Sequence, residues 1–262
     1  MSNKILPLDI YPRYGQRIQN ATGFKRLLYK WMPIPLHTYF PLRVELRMLW
    51  VRLISRHVYR RYMHAKNLLV NIGCGSKGKQ GWVNVDIFKH PGVNCIYDCR
   101  KQLPFPDESV RGIFCEHFFE HIDYTEEVPM FLSECHRVLQ PNGVIRIIVP
   151  DAEKYLKGYF EGWDALKDIR PLKENHQDFY FGGRYNTKME LINVSFRQGY
   201  QHRFLYDAET LIFVLKRYGF SQVHHQGYNK SVMPELLIDQ VFKASESLYV
   251  DLVFRNSNAS GI

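Results

Sequence analysis

A glycine-rich loop is the first part of this sequence whose residue types and spacing could do chemistry. The apolar run Leu68–Ile72 leads into Gly73-Cys74-Gly75-Ser76-Lys77-Gly78, and Asp86 ends the next apolar run. Glycines let the backbone approach a ligand closely. A carboxylate at the end of the neighbouring strand can accept hydrogen bonds from both ribose hydroxyls of an adenosine. The pattern therefore predicts a nucleoside-binding loop.

The same six loop residues also fit GxGxxG, the fingerprint of dinucleotide-binding folds. That fingerprint needs a helix after the loop and an acid about 20 residues further on. Here Asp86 comes 13 residues after Gly73, and residues 76–82 leave no room for a full helix. A nicotinamide dehydrogenase is therefore the weaker alternative, and a simple tight turn is the structural one.

Two histidines have the positions expected of a general base. His117 follows the predicted fourth strand, and His202 precedes the last predicted helix. Open α/β sheets bind ligands at the carboxyl ends of their strands, and an imidazole can take a proton from a hydroxyl near neutral pH. We name His202, narrowly ahead of His117, as the candidate base. A packing or capping role is the alternative for each.

Short apolar runs alternate with helical or loop stretches after Lys66, which predicts an α/β fold with a mostly parallel sheet. The predicted strands are Leu68–Ile72, Val83–Ile87, Val93–Tyr97, Val110–Cys115, Val144–Val149, Gln222–Gln226 and Ser247–Phe254. The predicted helices are Glu126–Val138 and Ala208–Tyr218, with Gly219 as the cap of the second. Twelve aromatic residues lie between 155 and 206. They either contact a substrate or build a core of their own.

Residues 1–66 form a basic arm. They hold 13 Lys and Arg against two acids, a net charge of +11, whereas the whole chain carries +9. Prolines up to Pro41 are expected to interrupt helices, and Leu42–Met63 has helical periodicity with apolar residues on one face and arginines largely on another. Either the apolar face packs on the main domain with the arginines in solvent, or the arm binds an anionic membrane surface or partner.

The composition indicates a globular, cytoplasmic protein without a membrane span. Hydrophobic residues make up 45% and charged residues 23%, which is ordinary for a globular chain. No apolar run reaches the roughly 18 residues of a transmembrane helix, and the first residues lack the apolar core of a secretory signal. The five cysteines include no CxxC pair, which indicates free thiols. No metal site is predicted, because the spacing of Cys95 and Cys99 matches no zinc pattern.

The run LLVNIGCGSKGKQGWVNVDI resembles the cofactor loop of class I S-adenosylmethionine-dependent methyltransferases. More narrowly, it resembles the methyltransferase type 11 relatives found with cell-surface polysaccharide biosynthesis. Three further blocks follow in the order of that family: YDCRKQLPFPDESV, GIFCEHFFEHI and VLQPNGVIRIIVPD, and the final SLYVDLVF resembles its closing antiparallel strand. The resemblance covers residues 67–254. It implies a Rossmann-like methyltransferase domain over 67–262, a substrate lid inserted at 151–207, S-adenosylmethionine as cofactor and S-adenosylhomocysteine as its product.

The resemblance also assigns cofactor-binding roles by position. It places Gly73, Cys74 and Gly75 at the methionine and ribose, Asp86 on the ribose hydroxyls, Ile87 against adenine, Asp98 and Cys99 at the adenine edge, and Glu116 beside the methionine moiety. Many relatives have an acid where this chain has Asn71, whose amide oxygen accepts a hydrogen bond without adding negative charge. The shortened loop is expected to leave one sheet face without cover, which the helix at 42–63 could supply.

These features favour an S-adenosylmethionine-dependent O-methyltransferase that acts on a sugar hydroxyl of a glycan or of its lipid-linked precursor, with the protein cytoplasmic or peripheral at the membrane. The alternatives are methylation of another small hydroxylated metabolite, or a catalytically silent methyltransferase fold that serves as an assembly partner. Nucleic acid is not the expected acceptor. The residues after the fourth strand are Cys-Glu-His-Phe, whereas amino-methylating nucleic-acid enzymes have a Pro-Pro-aromatic motif there.

Overall fold

The computed structural model describes residues 36–179 and 182–255, with four further positions between 22 and 31. Most of the predicted arm before Leu36, and two residues of the aromatic-rich segment, Tyr180 and Phe181, lie outside this described part. The chain falls into two compact units. The sheet unit comprises Val44–Ala152 and Arg203–Ile262, and the helical unit comprises Met1–Arg43 and Glu153–His202. The predicted domain limits at residues 66, 151 and 207 stay predictions.

The sheet unit is built on a seven-stranded, mostly parallel sheet with strand order β3-β2-β1-β4-β5-β7-β6. Its strands are β1 Leu68–Ile72, β2 Val83–Asp86, β3 Cys95–Ile96, β4 Val110–Glu116, β5 Leu139–Pro150, β6 Gln222–Gln226 and β7 Ser247–Val253. Strand β7 runs antiparallel to both β5 and β6. This order and direction confirm the Rossmann-like methyltransferase fold class. The strand order reverses between β1 and β4, and open α/β sheets bind ligands at the carboxyl ends of the strands at such a point.

The predicted strands agree with the observed ones except at their ends. Strand β3 has two residues instead of the predicted five because it pairs only with β2, at the sheet edge. Strand β5 begins five residues earlier than predicted, since Leu139 already pairs with Val110 ahead of a register shift. The helices that follow these strands also lie close to the prediction.

The α-helices of the described ranges, numbered in chain order, are α1 Leu36–Ile54, α2 Val58–Tyr62, α3 Glu127–Val138, α4 Ala152–Glu161, α5 Trp163–Ile169, α6 Lys188–Arg197 and α7 Ala208–Arg217. Short 3₁₀ turns are Ser55–His57, Phe119–His121, Glu174–His176, Gln198–Tyr200, Pro234–Leu236 and Val241–Lys243. Helix α7 begins at an Asp207 cap and is followed by Gly219 at φ +93°, which confirms the predicted glycine cap. Within the described ranges, no helix is long and apolar enough to cross a membrane.

The two faces of the sheet are covered differently. The larger core lies on the face of Val70 and Ile72 and includes residues of α2, α3 and α7. On the other face, Phe114 and its neighbours pack against the segment 233–238 that precedes β7. The expectation that the arm helix covers the face left bare by the short loop is therefore wrong. The irregular segment 233–238 covers this face instead. Because it has no helical or strand periodicity, its position could not be predicted from the sequence.

Helix α1 also differs from its prediction. It begins at Leu36 and continues through Pro41. Proline has no N–H to donate to the carbonyl of residue 37, so the helix has one hydrogen bond fewer there. The expected packing of its apolar face on the main domain is wrong as well. Leu49 and Leu53 are more than half exposed, whereas arginines on the flanks of α1 bond to the ends of β2 and β3, as described below.

The helical unit has a core of its own, which contains Tyr155, Leu166, Tyr185 and Leu191. Helix α6 starts with a capping box in which Thr187 and Glu190 satisfy each other's backbone N–H groups. A hydrogen-bonded group of polar residues is buried beside this core. Asp178 accepts hydrogen bonds from Arg170 and from the Tyr185 hydroxyl. Part of the aromatic segment therefore holds its own unit together.

Candidate active site

The glycine loop is fastened to the end of β2. Gly73 and Gly75 have φ values of +69° and +50°, a backbone region that glycine occupies readily. The backbone N–H groups of Gly73 and Cys74 donate to the carbonyl of Val85, over 2.9 and 3.2 Å. A Cβ at Gly73 would lie 2.9 Å from the Cβ of Phe118. Any side chain there would collide with the loop after β4, so this position has to be glycine.

Asp86 is held in a fixed orientation by this loop. One carboxylate oxygen accepts the Gly75 N–H over 2.9 Å, and the other accepts the Phe88 N–H over 2.8 Å. Each oxygen has further lone-pair capacity toward a ligand hydroxyl. No described atom lies within 4 Å of where a Gly75 Cβ would be, so there is open space beside the carboxylate. The glycine loop and Asp86 therefore fit the ribose of a nucleoside-bearing cofactor.

Replacing Asp86 with alanine should weaken S-adenosylhomocysteine binding by roughly 30–150-fold, because a carboxylate that holds two hydroxyls contributes on the order of 2–3 kcal/mol. Isothermal calorimetry measures this directly. Melting temperatures must be recorded in parallel, since the loop loses the hydrogen bond of Gly75. Glu209→Ala, an exposed acid on α7, is the matched control. Unchanged affinity in the Asp86 variant would contradict the ribose assignment.

A cleft of about 450 Å³ opens beside the glycine loop. Four predicted cofactor residues line it: Asn71, Gly73, Cys74 and Glu116. Its opposite wall is the segment 237–240, which sequence reasoning did not identify. The cleft thus brings together the residues assigned to the methionine end of the cofactor.

Glu116 is the carboxylate of this cleft that fits the predicted methionine contact. Burial raises the pKa of its carboxyl, although the backbone N–H and the side-chain amide of Gln240 both donate to it. An ammonium group bound nearby would favour the charged form. Asn71, by contrast, donates its amide to the Lys77 carbonyl over 3.2 Å. Burial also raises the pKa of the Cys74 thiol to about 12, so the thiol is neutral at pH 7.

The residues assigned to adenine are engaged by helix α1. Asp98 accepts the Arg52 Nε–H over 2.7 Å and pairs with Arg100, whose guanidinium also pairs with Glu45 of α1. The carbonyl of Ile87 accepts the Arg47 Nε–H over 2.9 Å. In this arrangement the Asp98 oxygens serve two guanidiniums, so an adenine amino group would have to share or displace Arg52. The adenine assignment stays a prediction.

The other predicted adenine contact is also less accessible than expected. Cys99 is buried, and burial raises the pKa of its thiol well above the ordinary value. A second cleft, of about 360 Å³, lies beside Asp98 and is lined by Arg52, Tyr59 and Tyr97 among others. Asn71 and Glu116 line the first cleft and Asp98 the second, so the predicted cofactor residues are divided between two openings of the sheet unit.

His117 lies at the end of β4, and both of its ring nitrogens have partners. Its Nδ1 is 3.1 Å from an oxygen of the buried Glu120, and its Nε2 is 3.0 Å from the Ser247 hydroxyl at the start of β7. The residue has a positive φ of +51°, an uncommon conformation that surrounding contacts must hold. This arrangement favours the packing alternative for His117.

His202 ends the helical unit, and its Nδ1 is 2.9 Å from the backbone carbonyl of Ser195. Because a carbonyl can only accept, Nδ1 must carry the ring proton, and in the neutral ring Nε2 then has the lone pair. His202 therefore has the tautomer that a general base needs, and its Nε2 atom is buried.

Comparisons with known proteins are consistent with this geometry. Residues 86–147 match the family model described as "Methyltransferase domain", from Asp86 through most of β5. No curated protein matches the chain.

Several solved structures resemble the chain. An S-adenosylmethionine-dependent methyltransferase from Archaeoglobus fulgidus is 17% identical over 88% of this chain and 100% of its own, with a TM-score of 0.41. An S-adenosylmethionine-dependent methyltransferase from Mesorhizobium loti is 14% identical over 76% of this chain and 97% of its own, also with a TM-score of 0.41. Phosphoethanolamine N-methyltransferase 2 from Haemonchus contortus, solved with S-adenosyl-L-methionine, is 11% identical over 91% and 61%, at 0.40.

The functional class follows from the match at residues 86–147 together with the strand order of the sheet and the residues at its carboxyl edge. The matched stretch contains the carboxylate that fits the ribose, and the glycine loop directly precedes it. The chain is an S-adenosylmethionine-dependent methyltransferase, with S-adenosylmethionine as its cofactor.

Proposed function

We propose that this methyltransferase acts on a hydroxyl oxygen of a sugar, in a glycan or in its lipid-linked precursor. The observation that carries the proposal is the hydrogen bond from His202 Nδ1 to the Ser195 carbonyl. It assigns the lone pair to Nε2, which is the atom that can take a proton from an incoming hydroxyl. An amine that is already neutral has no comparable need for a base.

The main task of the protein is to align the methyl donor with the acceptor. Bound S-adenosylmethionine supplies an electrophilic methyl group, which is transferred by in-line displacement, so donor and acceptor must be held close and in line. The glycine loop and Asp86 would hold the ribose, and Glu116 would pair with the methionine ammonium. His202 would accept the hydroxyl proton at Nε2. Asn71 would contribute its amide oxygen without adding charge.

The helical unit also has aromatic surfaces suited to a sugar. Phe160 and Phe179 are 82% and 59% exposed, although a core position would be expected for large apolar rings. The Trp163 ring stacks on His176 with 3.7 Å between the ring centroids. Exposed flat apolar rings with polar groups nearby are suited to the faces of pyranose rings.

A cytoplasmic location next to the membrane is part of the proposal. All five cysteines are free and buried, as in proteins of a reducing compartment. A lipid-linked acceptor would itself be held at the membrane surface, so an enzyme that methylates it has to work there.

An activity assay with S-adenosylmethionine and three acceptor classes tests the proposal. The classes are sugar nucleotides or lipid-linked sugars, phenolic metabolites and primary amines. We expect S-adenosylhomocysteine release with a mass gain of one methylene on the sugars only. Transfer to phenols would favour the small-metabolite alternative, and transfer to amines alone would contradict O-methylation. S-adenosylhomocysteine should raise the melting temperature, whereas NAD should not.

A further inference from the structure

Helix α1 presents a stripe of large apolar side chains to solvent. Leu46, Leu49, Trp50 and Leu53 recur at helical spacing, and each is 54–58% exposed. The spacing i, i+3, i+4, i+7 puts them on one face. Four such residues in two turns form an exposed patch of the kind that marks an interaction site.

The opposite side of α1 packs against the sheet unit. Val51 is fully buried, and Arg47 and Arg52 on the flanks bond to Ile87 and Asp98 of the sheet unit. These contacts fix the rotation of the helix about its axis. The apolar stripe is therefore held outward by hydrogen bonds and an ion pair, and the helix cannot turn it inward without breaking them.

Positive charge surrounds this stripe. Arg60 and Arg61 of α2 are exposed a few residues further along, as is Lys66, and residues 1–66 carry a net charge of +11. An apolar stripe with leucine and tryptophan beside clustered arginines is the pattern of helices that lie in a membrane interface. A second protein chain would not need this excess of one sign, whereas anionic lipid headgroups would be attracted by it.

We propose that the stripe of Leu46, Leu49, Trp50 and Leu53 docks the sheet unit on a bilayer that contains anionic lipids, with Arg60 and Arg61 at the headgroups. Trp50 would lie at the level of the headgroups and the first acyl carbons. The proposal rests on the membrane location proposed above, but not on which hydroxyl is methylated. The carboxyl ends of β2 and β3 are tied to this helix, so the nucleoside end of the site would be held close to the membrane.

Vesicle co-sedimentation of the full chain tests this surface. Vesicles of phosphatidylcholine alone and of phosphatidylcholine with 30% phosphatidylglycerol are used at low and high salt. We expect binding to the anionic vesicles that weakens as salt rises. Leu49→Ser combined with Leu53→Ser should weaken this binding roughly 10–100-fold, because two leucines that the bilayer would bury are lost. Phe213→Ser, an equally exposed apolar residue on α7, should leave it unchanged.

Further measurements distinguish a membrane from the other possible partners of the stripe. Arg60→Glu with Arg61→Glu should remove the preference for anionic vesicles. Calorimetric S-adenosylhomocysteine binding by the leucine variant should stay at the wild-type value, so a failure of the cofactor assignment would appear there and not in the vesicle assay. The proposal is overturned if the wild type and the leucine variant bind vesicles equally, or if neither binds them. It is also overturned if light scattering finds a wild-type dimer that the leucine variant abolishes, or if that variant melts lower without lipid.

Discussion

Replacing His202 with alanine should lower methyl transfer by about 10²–10⁴-fold, the usual contribution of a positioned general base. The expected cause is loss of the Nε2 lone pair, which the Nδ1 hydrogen bond to the Ser195 carbonyl assigns to that atom. Affinity for S-adenosylhomocysteine should stay near the wild-type value, because His202 is not among the residues assigned to the cofactor. The measurements are steady-state turnover and calorimetry on the same preparations.

The controls are chosen among the other histidines. His225→Ala, on the exposed side of β6, should change neither quantity. His117→Ala removes a ring that lies between the buried Glu120 and Ser247, so it should lower the melting temperature more than His202→Ala does. Turnover that survives in both the His202 and the His117 variants would reject a histidine base. Glu116 would then be the candidate that remains, or the acceptor would need no base.

Much of the fold could be predicted from the sequence because its strands are buried. Six of the seven predicted strands lie within two residues of their observed ends, since most of them are buried strands, which appear in the sequence as short apolar runs. Strand β5 is the exception, because it begins at Leu139 and the next four residues, 140–143, are polar or turn-forming and give no strand pattern. The loop and Asp86 could also be predicted, since close backbone approach requires glycine whatever the surroundings.

The wall of the cofactor cleft could not be predicted in the same way. Segment 237–240 has no periodicity, and its position depends on pairing between residues more than 90 positions apart, Arg146 and Asp239. One signal was present: Arg146 is a charged residue within an otherwise apolar strand, and such a residue needs a buried partner. Sequence periodicity does not identify that partner.

Helix α1 shows a different limit of sequence reasoning. Periodicity identified a helix with apolar and basic sides, but it did not say which side faces the domain. Arg52 pairs with Asp98, which has 1% of its side chain exposed. A buried carboxylate next to a second arginine, Arg100, gains more from this charge than a leucine would gain from burial there. The long arginine side chains therefore turn inward, and the leucines stay outside.

Replacing Arg146 with methionine should have the largest effect on stability of any single change considered. Its guanidinium is fully buried, pairs with Asp239 and Asp251 over 2.6 and 2.8 Å, and donates to the carbonyls of Gly227 and Lys230. Methionine fills a similar volume but leaves two buried carboxylates without their cation, which costs about 3–5 kcal/mol. For a chain of this size that lowers the melting temperature by roughly 6–20 °C.

The same change should also weaken cofactor binding, because Asp239 is next to Gln240, which bonds to Glu116 in the cleft. Arg111→Met is the matched control. It removes the Arg111–Glu235 pair, 2.7 Å long, from the surface of the sheet unit, where such a pair contributes about 1 kcal/mol or less. Adding Asp239→Asn and Asp251→Asn to the Arg146 variant should recover part of the lost stability, since the uncompensated charges are then gone. Calorimetric melting and S-adenosylhomocysteine titration follow both effects. If the Arg146 and Arg111 variants melt alike, the buried arginine does not hold segment 237–240 against the sheet. The apolar packing of Leu236 and Ile238 and the hydrogen bonds from Gln240 to Glu116 would then hold that wall.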